Sequence, residues 1–317
     1  MDKFLTKALP DLPPSLLYKA IRTKKIKVNR KRAEGKQMLV EGDLLQVFLP
    51  PQFLGGRDNA AEGSRLSAPV SLQVLYEDDR ILLVYKPKGI PVHEDDSGTA
   101  RHLLAQVQAY LYQKGDYDPL DEQSFAPSLC NRIDRGTEGI VICAKTAEAL
   151  RVMDEKIRAR ELDKRYLCIV HGTPHPRQAL LQGWLLKDEK QSKVRVFDKN
   201  PPPGAKTIRT KYSVLATKDG LSLLEVELLT GRTHQIRAHL SHIGHPLLGD
   251  GKYGKNSSDR ARGYACQALC AYQLRFCFDT AKATPLDDLN GLCVSVPTEQ
   301  ISFLREFPEY RAGEVTE

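Results

Sequence analysis

The sequence predicts an α+β protein: a mixed, largely antiparallel sheet domain preceded by a small α+β module of its own. Three observations carry this. Past residue 70, strand signals follow one another through turns while helices intervene irregularly, unlike the strict alternation of a parallel sheet. Residues 51–69 lose all periodicity and are dominated by Gly, Ser, Ala and Pro, as a flexible linker would be. Residues 1–50 carry 11 Lys and Arg against 5 Asp and Glu, so all but one of the chain's +7 net charges sit in the first module. The expected organisation is therefore 1–50, a 51–69 linker, and a domain at 70–310. A basic appendage on a near-neutral body suits a polyanion.

In the first module, Ser15 is expected to cap a helix through Ile21, with Leu16, Leu17, Ala20 and Ile21 on one face. Lys19, Arg22, Lys24 and Lys25 surround its C-terminal end, where cations also suit the helix dipole. Ile26-Lys27-Val28 reads as a strand, Asn29-Arg30-Lys31 and Glu41-Gly42-Asp43 as turns, and Leu44 to Leu49 as a second strand.

The second module opens with strands at Val70–Tyr76 and Ile81–Tyr85 around the turn Glu77-Asp78-Asp79. His93-Glu94-Asp95-Asp96 reads as a solvated loop, because consecutive side chains there diverge too far to share a metal. Thr99 to Gln113 has a helical apolar stripe of Leu103, Leu104, Val107 and Leu111. Asn131-Arg132-Ile133-Asp134-Arg135 then sets a carboxylate between two arginines, just ahead of the buried-strand run Ile140 to Ala144. Flanking cations favour an ionised Asp134, suited to a nucleophile or an anchored ion pair; a turn aspartate bonding its own backbone ahead of Gly136 is the plainer alternative.

Thr146 is a helix cap for Leu150, Met153 and Ile157, and Lys164 to Gly172 returns as a strand. Lys187 to Arg209 suggests an irregular strand pair, Leu221 to Leu229 another strand. Thr233 is expected to cap a short helix with Ile236, Leu240 and Ile243 inward, and Gly244 to end it. Arg237 lies at the edge of that apolar face, where a guanidinium wants a carboxylate. His234, His239, His242 and His245 do not make a metal set: only His239 and His242 share a face, and no carboxylate or cysteine joins them. Further strands fall at Leu269–Phe278 and Leu292–Val296.

Several classes are excluded by what is missing. No apolar run is long enough to span a bilayer, and Met1-Asp2-Lys3-Phe4 lacks a signal-peptide core. Seven cysteines without a Cys-x-x-Cys pair suggest reduced thiols, hence a cytoplasmic protein. There is no P-loop, Gly-x-Gly-x-x-Gly fingerprint or Gly-x-Ser-x-Gly elbow, so no nucleotide cofactor is expected, nor a metal.

Lys3-Phe4-Leu5, Ser15 to Arg22, Ile26-Lys27-Val28-Asn29 and Glu41-Gly42-Asp43 resemble the S-four RNA-binding domain, with Arg30 standing where many members have glycine. In the second module four stretches resemble the RluA-type pseudouridine synthases: Glu77 to Gly89, Arg132-Ile133-Asp134 with Thr137 and Gly139, Lys164-Arg165-Tyr166 with Val170 and Gly172, and Gly231 to His239 continued by Gly244 to Asp250, Tyr253 and Gly254. The resemblance implies isomerisation of uridine to pseudouridine in structured RNA, most readily large-subunit ribosomal RNA, by a cytoplasmic monomer without cofactors. It makes Asp134 the essential carboxylate, Arg132 a residue that helps hold the flipped nucleotide, Tyr166 a partner for the target base, and Arg237 the cation paired with Asp134. Lys19, Arg22, Lys24 and Lys25 become RNA contacts. Alternatives are the same isomerase acting on tRNA, a noncatalytic RNA-binding or ribosome-assembly factor, and a hydrolase, for which no acid partner is evident. Asn131, Ile133 and Glu138 depart from the family pattern; Glu138 is expected to bring a second negative charge toward Asp134.

Overall fold

The computed structural model describes residues 1–9, 12–49, 66, 70–94, 102–119, 125–188, 193–255, 257–281 and 283–310. Apart from Leu66, the expected linker lies outside them, as do Asp95 and Asp96. Contacts group the chain into two units, Met1–Val70 with Gln108–Ala126, and Ser71–Val107 with Pro127–Glu317. In the first, the Gln113 side-chain amide donates to the Leu66 carbonyl at 2.9 Å.

The first unit contains helices α1 (Asp2–Ala8) and α2 (Pro14–Arg22) and an antiparallel sheet in which β1 (Ile26–Val28) lies between β2 (Lys31–Arg32) and β3 (Leu45–Val47). Leu5, Leu12, Leu17, Ala20, Ile21, Ile26 and Val28 make its core. Ser15 does not cap α2. Pro14 takes the first helical position, where its missing N–H costs nothing, and Pro13 precedes it without a side-chain cap. The turn after β1 forms without glycine, with Asn29 at φ 49° and Arg30 at φ 64°. Asn29 supports that conformation: its side chain donates to Asp43 at 2.6 Å and accepts from the Leu44 amide at 2.8 Å.

The second unit is built on a large mixed sheet. Its strands are β4 (Gln73–Glu77), β5 (Ile81–Lys86), β6 (Ser128–Leu129), β7 (Glu138–Ala144), β8 (Leu162–His171), β9 (Gln178–Asp188), β10 (Lys193–Phe197), β11 (Lys206–Lys218), β12 (Leu221–Leu228), β13 (Leu269–Phe276) and β14 (Cys293–Ser295). They run in the order β10-β9-β11-β12-β8-β13-β7-β5-β4, with β14 beside β13 and β6 beside β7. Among the described residues β13 and β7 pair parallel and every other pair is antiparallel, which is the mixed, largely antiparallel sheet the sequence predicts. Gly139 makes that parallel junction possible. It sits at φ 122°, and a Cβ there would lie 2.3 Å from the Ala271 carbonyl oxygen.

Helix α3 spans Leu103–Lys114. Helix α4 (Ala147–Ala159) is capped by Thr146, whose side chain accepts from the Ala149 amide at 3.1 Å. Met153, Val152 and Ala149 enter a core with Ile81, Leu83, Ile142, Leu167, Ile169 and Phe276. Helix α5 (Gln235–His242) begins later than expected, and Thr233 is not its cap. A turn closed by Gln235 N–H to the Arg232 carbonyl at 3.0 Å leaves Thr233 outside the helix. The Gln235 side chain serves this end instead, accepting from the Arg232 amide at 3.1 Å and the Thr230 hydroxyl at 2.9 Å. Gly244, at φ 87°, ends the helix as expected.

Candidate functional site

The loop between β6 and β7 carries Asp134, and its shape is fixed from three directions. The Asn131 side chain accepts the Ile142 amide at 2.8 Å, so the departure at 131 ties the loop to β7. Gln267 donates to the Thr137 hydroxyl at 3.0 Å from beyond the loop. Lys86, fully buried at the end of β5, donates to the carbonyls of Pro87, Ile90 and Arg135 at 2.9, 2.9 and 3.1 Å. Burial pulls its ammonium down to about 8, against the opposing pull of Asp134 and Glu138. Arg135 completes the clamp, its guanidinium donating to the Gly89 carbonyl at 2.9 Å.

Asp134 is a quarter exposed and faces Arg237 of α5, whose Nη1 donates to Oδ2 at 2.8 Å. Arg237 is buried because α5 packs on more than one side, with Gln235 through Leu240 all buried. Its other edge forms a bidentate pair with Asp250, Nε to Oδ2 at 2.7 Å and Nη2 to Oδ1 at 2.8 Å. Burial opposes the charge on Asp250, but the Arg237 pair and the amides of Lys252 and Tyr253 outweigh it and hold the carboxyl below its ordinary value. One planar cation thus links a sealed carboxylate to one that is open to solvent. Tyr166 on β8 is buried, and burial, with the nearby Asp134, keeps its phenol protonated well past neutral pH.

Asp134, Tyr166 and Arg237 line a cleft of about 1770 Å³ in the second unit. Arg132, Lys164, Lys193, Arg209, Arg232 and Lys252 also line it, giving it positive walls. Arg132 is exposed there and makes no hydrogen bond or ion pair among the described residues. So Asp134, Arg132, Tyr166 and Arg237 converge. Lys19, Arg22, Lys24 and Lys25 belong to the first unit, exposed at and just past the end of α2.

Glu138 corrects an expectation. Its buried carboxylate turns away from the cleft, accepting the Tyr85 hydroxyl at 2.9 Å and pairing with Lys88 at 3.2 Å. The histidines are also engaged elsewhere: His239 with Thr210, His242 with Asp198, and His245 with the His171 carbonyl, each at 2.9 Å. Asp250 and Lys86 were not singled out from sequence. The available signals were a lysine closing an otherwise apolar strand, and an aspartate within reach of an unpaired arginine.

Residues 80–242 match the RNA pseudouridylate synthase family. The ribosomal large subunit pseudouridine synthase C of Vibrio parahaemolyticus is 32% identical over 266 residues, covering 83% of this chain and 79% of that protein. This chain belongs to the RNA pseudouridylate synthase family. It is an isomerase. The Escherichia coli synthase C is also 32% identical, over 82% of this chain and 77% of its own length. Among solved structures, human RNA pseudouridylate synthase domain containing 4 superposes with a TM-score of 0.57 at 21% identity, over 79% of this chain and 96% of that one. Human RNA pseudouridylate synthase domain containing 1 gives 0.54 at 22% identity, over 74% and 95%. At those identities the two structures support the fold of the synthase.

Proposed function

We propose that this synthase converts uridine to pseudouridine in large-subunit ribosomal RNA, with Asp134 as the essential carboxylate. The observation that carries the reading is the Asp250–Arg237–Asp134 chain, whose Arg237 and Asp134 line a basic-walled cleft together with Tyr166. The names of the bacterial relatives support the target.

A uridine in folded RNA must leave its stack to reach Asp134, and Arg132, free at the cleft wall, is placed to help hold the opened backbone. Arg237 orients Asp134 through the bond to Oδ2 while Asp250 keeps Arg237 from rotating. Tyr166, protonated at neutral pH, packs on the target base as a phenol rather than acting as a phenolate. The bond from ribose to the base nitrogen breaks, and carbon 5 of the same base rejoins the ribose. Reactant and product have the same composition, so no redox partner or energy source is required, and we assign no cofactor. Residues 1–50 are proposed to be an S-four-like module that adds RNA affinity through Lys19, Arg22, Lys24 and Lys25. The synthase is proposed to act in the cytoplasm as a monomer.

The test is to map pseudouridines across total RNA from cells with the protein, without it, and with only the Asp134→Asn variant. Loss of one or more large-subunit sites, restored by wild type and not by the variant, is expected. Loss confined to tRNA would overturn the assigned target, and an active Asp134→Asn would overturn the chemistry. RNA affinity of the variant should stay within about threefold, since the phosphate contacts are untouched.

A further inference from the structure

Both donors near Asp134 approach the same oxygen. Arg237 Nη1 lies 2.8 Å and His234 Nε2 3.8 Å from Oδ2, while Oδ1 has no hydrogen-bond partner among the described residues. His234 is the residue before α5 and stands at φ 52°, in the left-handed region that a side chain enters only at some cost. That backbone turns its ring toward both Asp134 and Tyr253. The two rings meet edge to face, 5.6 Å apart, and Nδ1 lies 2.8 Å from the Tyr253 hydroxyl.

The proton positions follow from counting donors. Tyr253 oxygen already accepts the Val194 amide at 3.0 Å. Burial first, together with nearby Asp250 and Asp134, raises its phenol above the ordinary value, so the hydroxyl keeps its hydrogen. Among the described residues the acceptor within reach of that hydrogen is His234 Nδ1. Burial, aided by the charges of Arg237 and Lys252, holds the imidazole below its ordinary value against the pull of Asp134, and so keeps it neutral. A neutral ring that accepts at Nδ1 must carry its hydrogen on Nε2, which points at Asp134.

We propose that His234 is a positioning residue for Asp134: Tyr253 fixes its tautomer, and its Nε2–H closes on Oδ2 when a nucleotide fills the cleft, leaving Oδ1 as the reacting oxygen. At 3.8 Å the pair is longer than a hydrogen bond, and the proposed contact forms as the nucleotide binds. This rests on Asp134 being the essential carboxylate.

The experiment is single-turnover kinetics of His234→Gly, His234→Gln, Tyr253→Phe and Asp134→Asn on a transcript containing the target uridine, with RNA affinity measured in parallel. Glycine accepts the positive φ without strain, so His234→Gly removes the ring and leaves the backbone in place. It should lower the chemical rate about tenfold or more while RNA affinity stays within about twofold. Glutamine, whose amide nitrogen can stand near the Nε2 position, should recover much of that rate, and Tyr253→Phe should show a smaller loss of the same kind. A wild-type rate in His234→Gly, a loss of affinity in place of rate, or a rate that glutamine fails to restore would each overturn the role. Activity in Asp134→Asn would instead remove the reading on which the role depends.

Discussion

At the residue scale, Arg237 does two jobs with one planar group, and neither transfers to a lysine. Arg237→Lys keeps the charge but cannot hold Asp250 through two parallel bonds while also reaching Asp134. It should lower the single-turnover rate by about a hundredfold with RNA affinity nearly unchanged. Asp250→Asn has a different cost. It removes the fully buried one of the two carboxylates that compensate Arg237, and should lower unfolding stability by about 3 kcal/mol in urea titrations. The pairing of Arg237 with a carboxylate was legible in the sequence, because an arginine on the edge of an apolar helical face needs one. That it takes two was not, since Asp250 lies beyond the helix in a turn whose path no periodicity describes.

At the scale of elements, the buried strand β7 and its glycine set the site's rigidity. Gly139→Ala would push a methyl into the β13 backbone at a φ that alanine resists. We expect about 2–4 kcal/mol of lost stability and lower activity, read from denaturation midpoints and initial rates. Most strands were visible as apolar runs or alternation, and Thr146 was visible as a cap. The helix starts near Ser15 and Thr233 were misplaced for one shared reason. A side chain that could cap is common, and proline geometry or a preceding turn decides which residue actually stands at the helix end. The parallel pairing of β7 with β13 could not be read at all, because it joins segments about 130 residues apart in sequence. Glu138 was misjudged for a related reason: its partners Tyr85 and Lys88 come from another strand and the turn after it.

At the scale of the whole molecule, burial of weak acids sets the response to alkali. Burial raises Tyr166, Cys168 and Cys143, the last to about 12. Their protonated forms favour the fold fully below the unfolded values, and that stability is lost as pH rises above about 9, where the unfolded chain ionises first. Lys86, lowered to about 8, and Lys164, also lowered by burial, act in the opposite direction below their unfolded values, but are two groups against the larger set of raised thiols and phenols. Thermal midpoints should therefore fall between pH 9 and 11, and a rise would contradict the burial described. The basic first module predicts a second bulk property. Replacing Lys19, Arg22, Lys24 and Lys25 by alanine should reduce the salt dependence of RNA binding by up to about three units of log–log slope. An unchanged slope would place the electrostatic contact elsewhere. Finally, Thr137 is held by Gln267, Asp134 by Arg237, and β7 by β13, so the loop bearing the carboxylate is tied down by residues made long after it. A ribosome that has released only the first two hundred residues has made Arg132, Asp134 and Tyr166, yet none of these three ties. The order of synthesis therefore leaves this loop with its earlier anchors, Asn131 on Ile142 and Lys86 on the Arg135 carbonyl, but without these later ones until β13 emerges and docks.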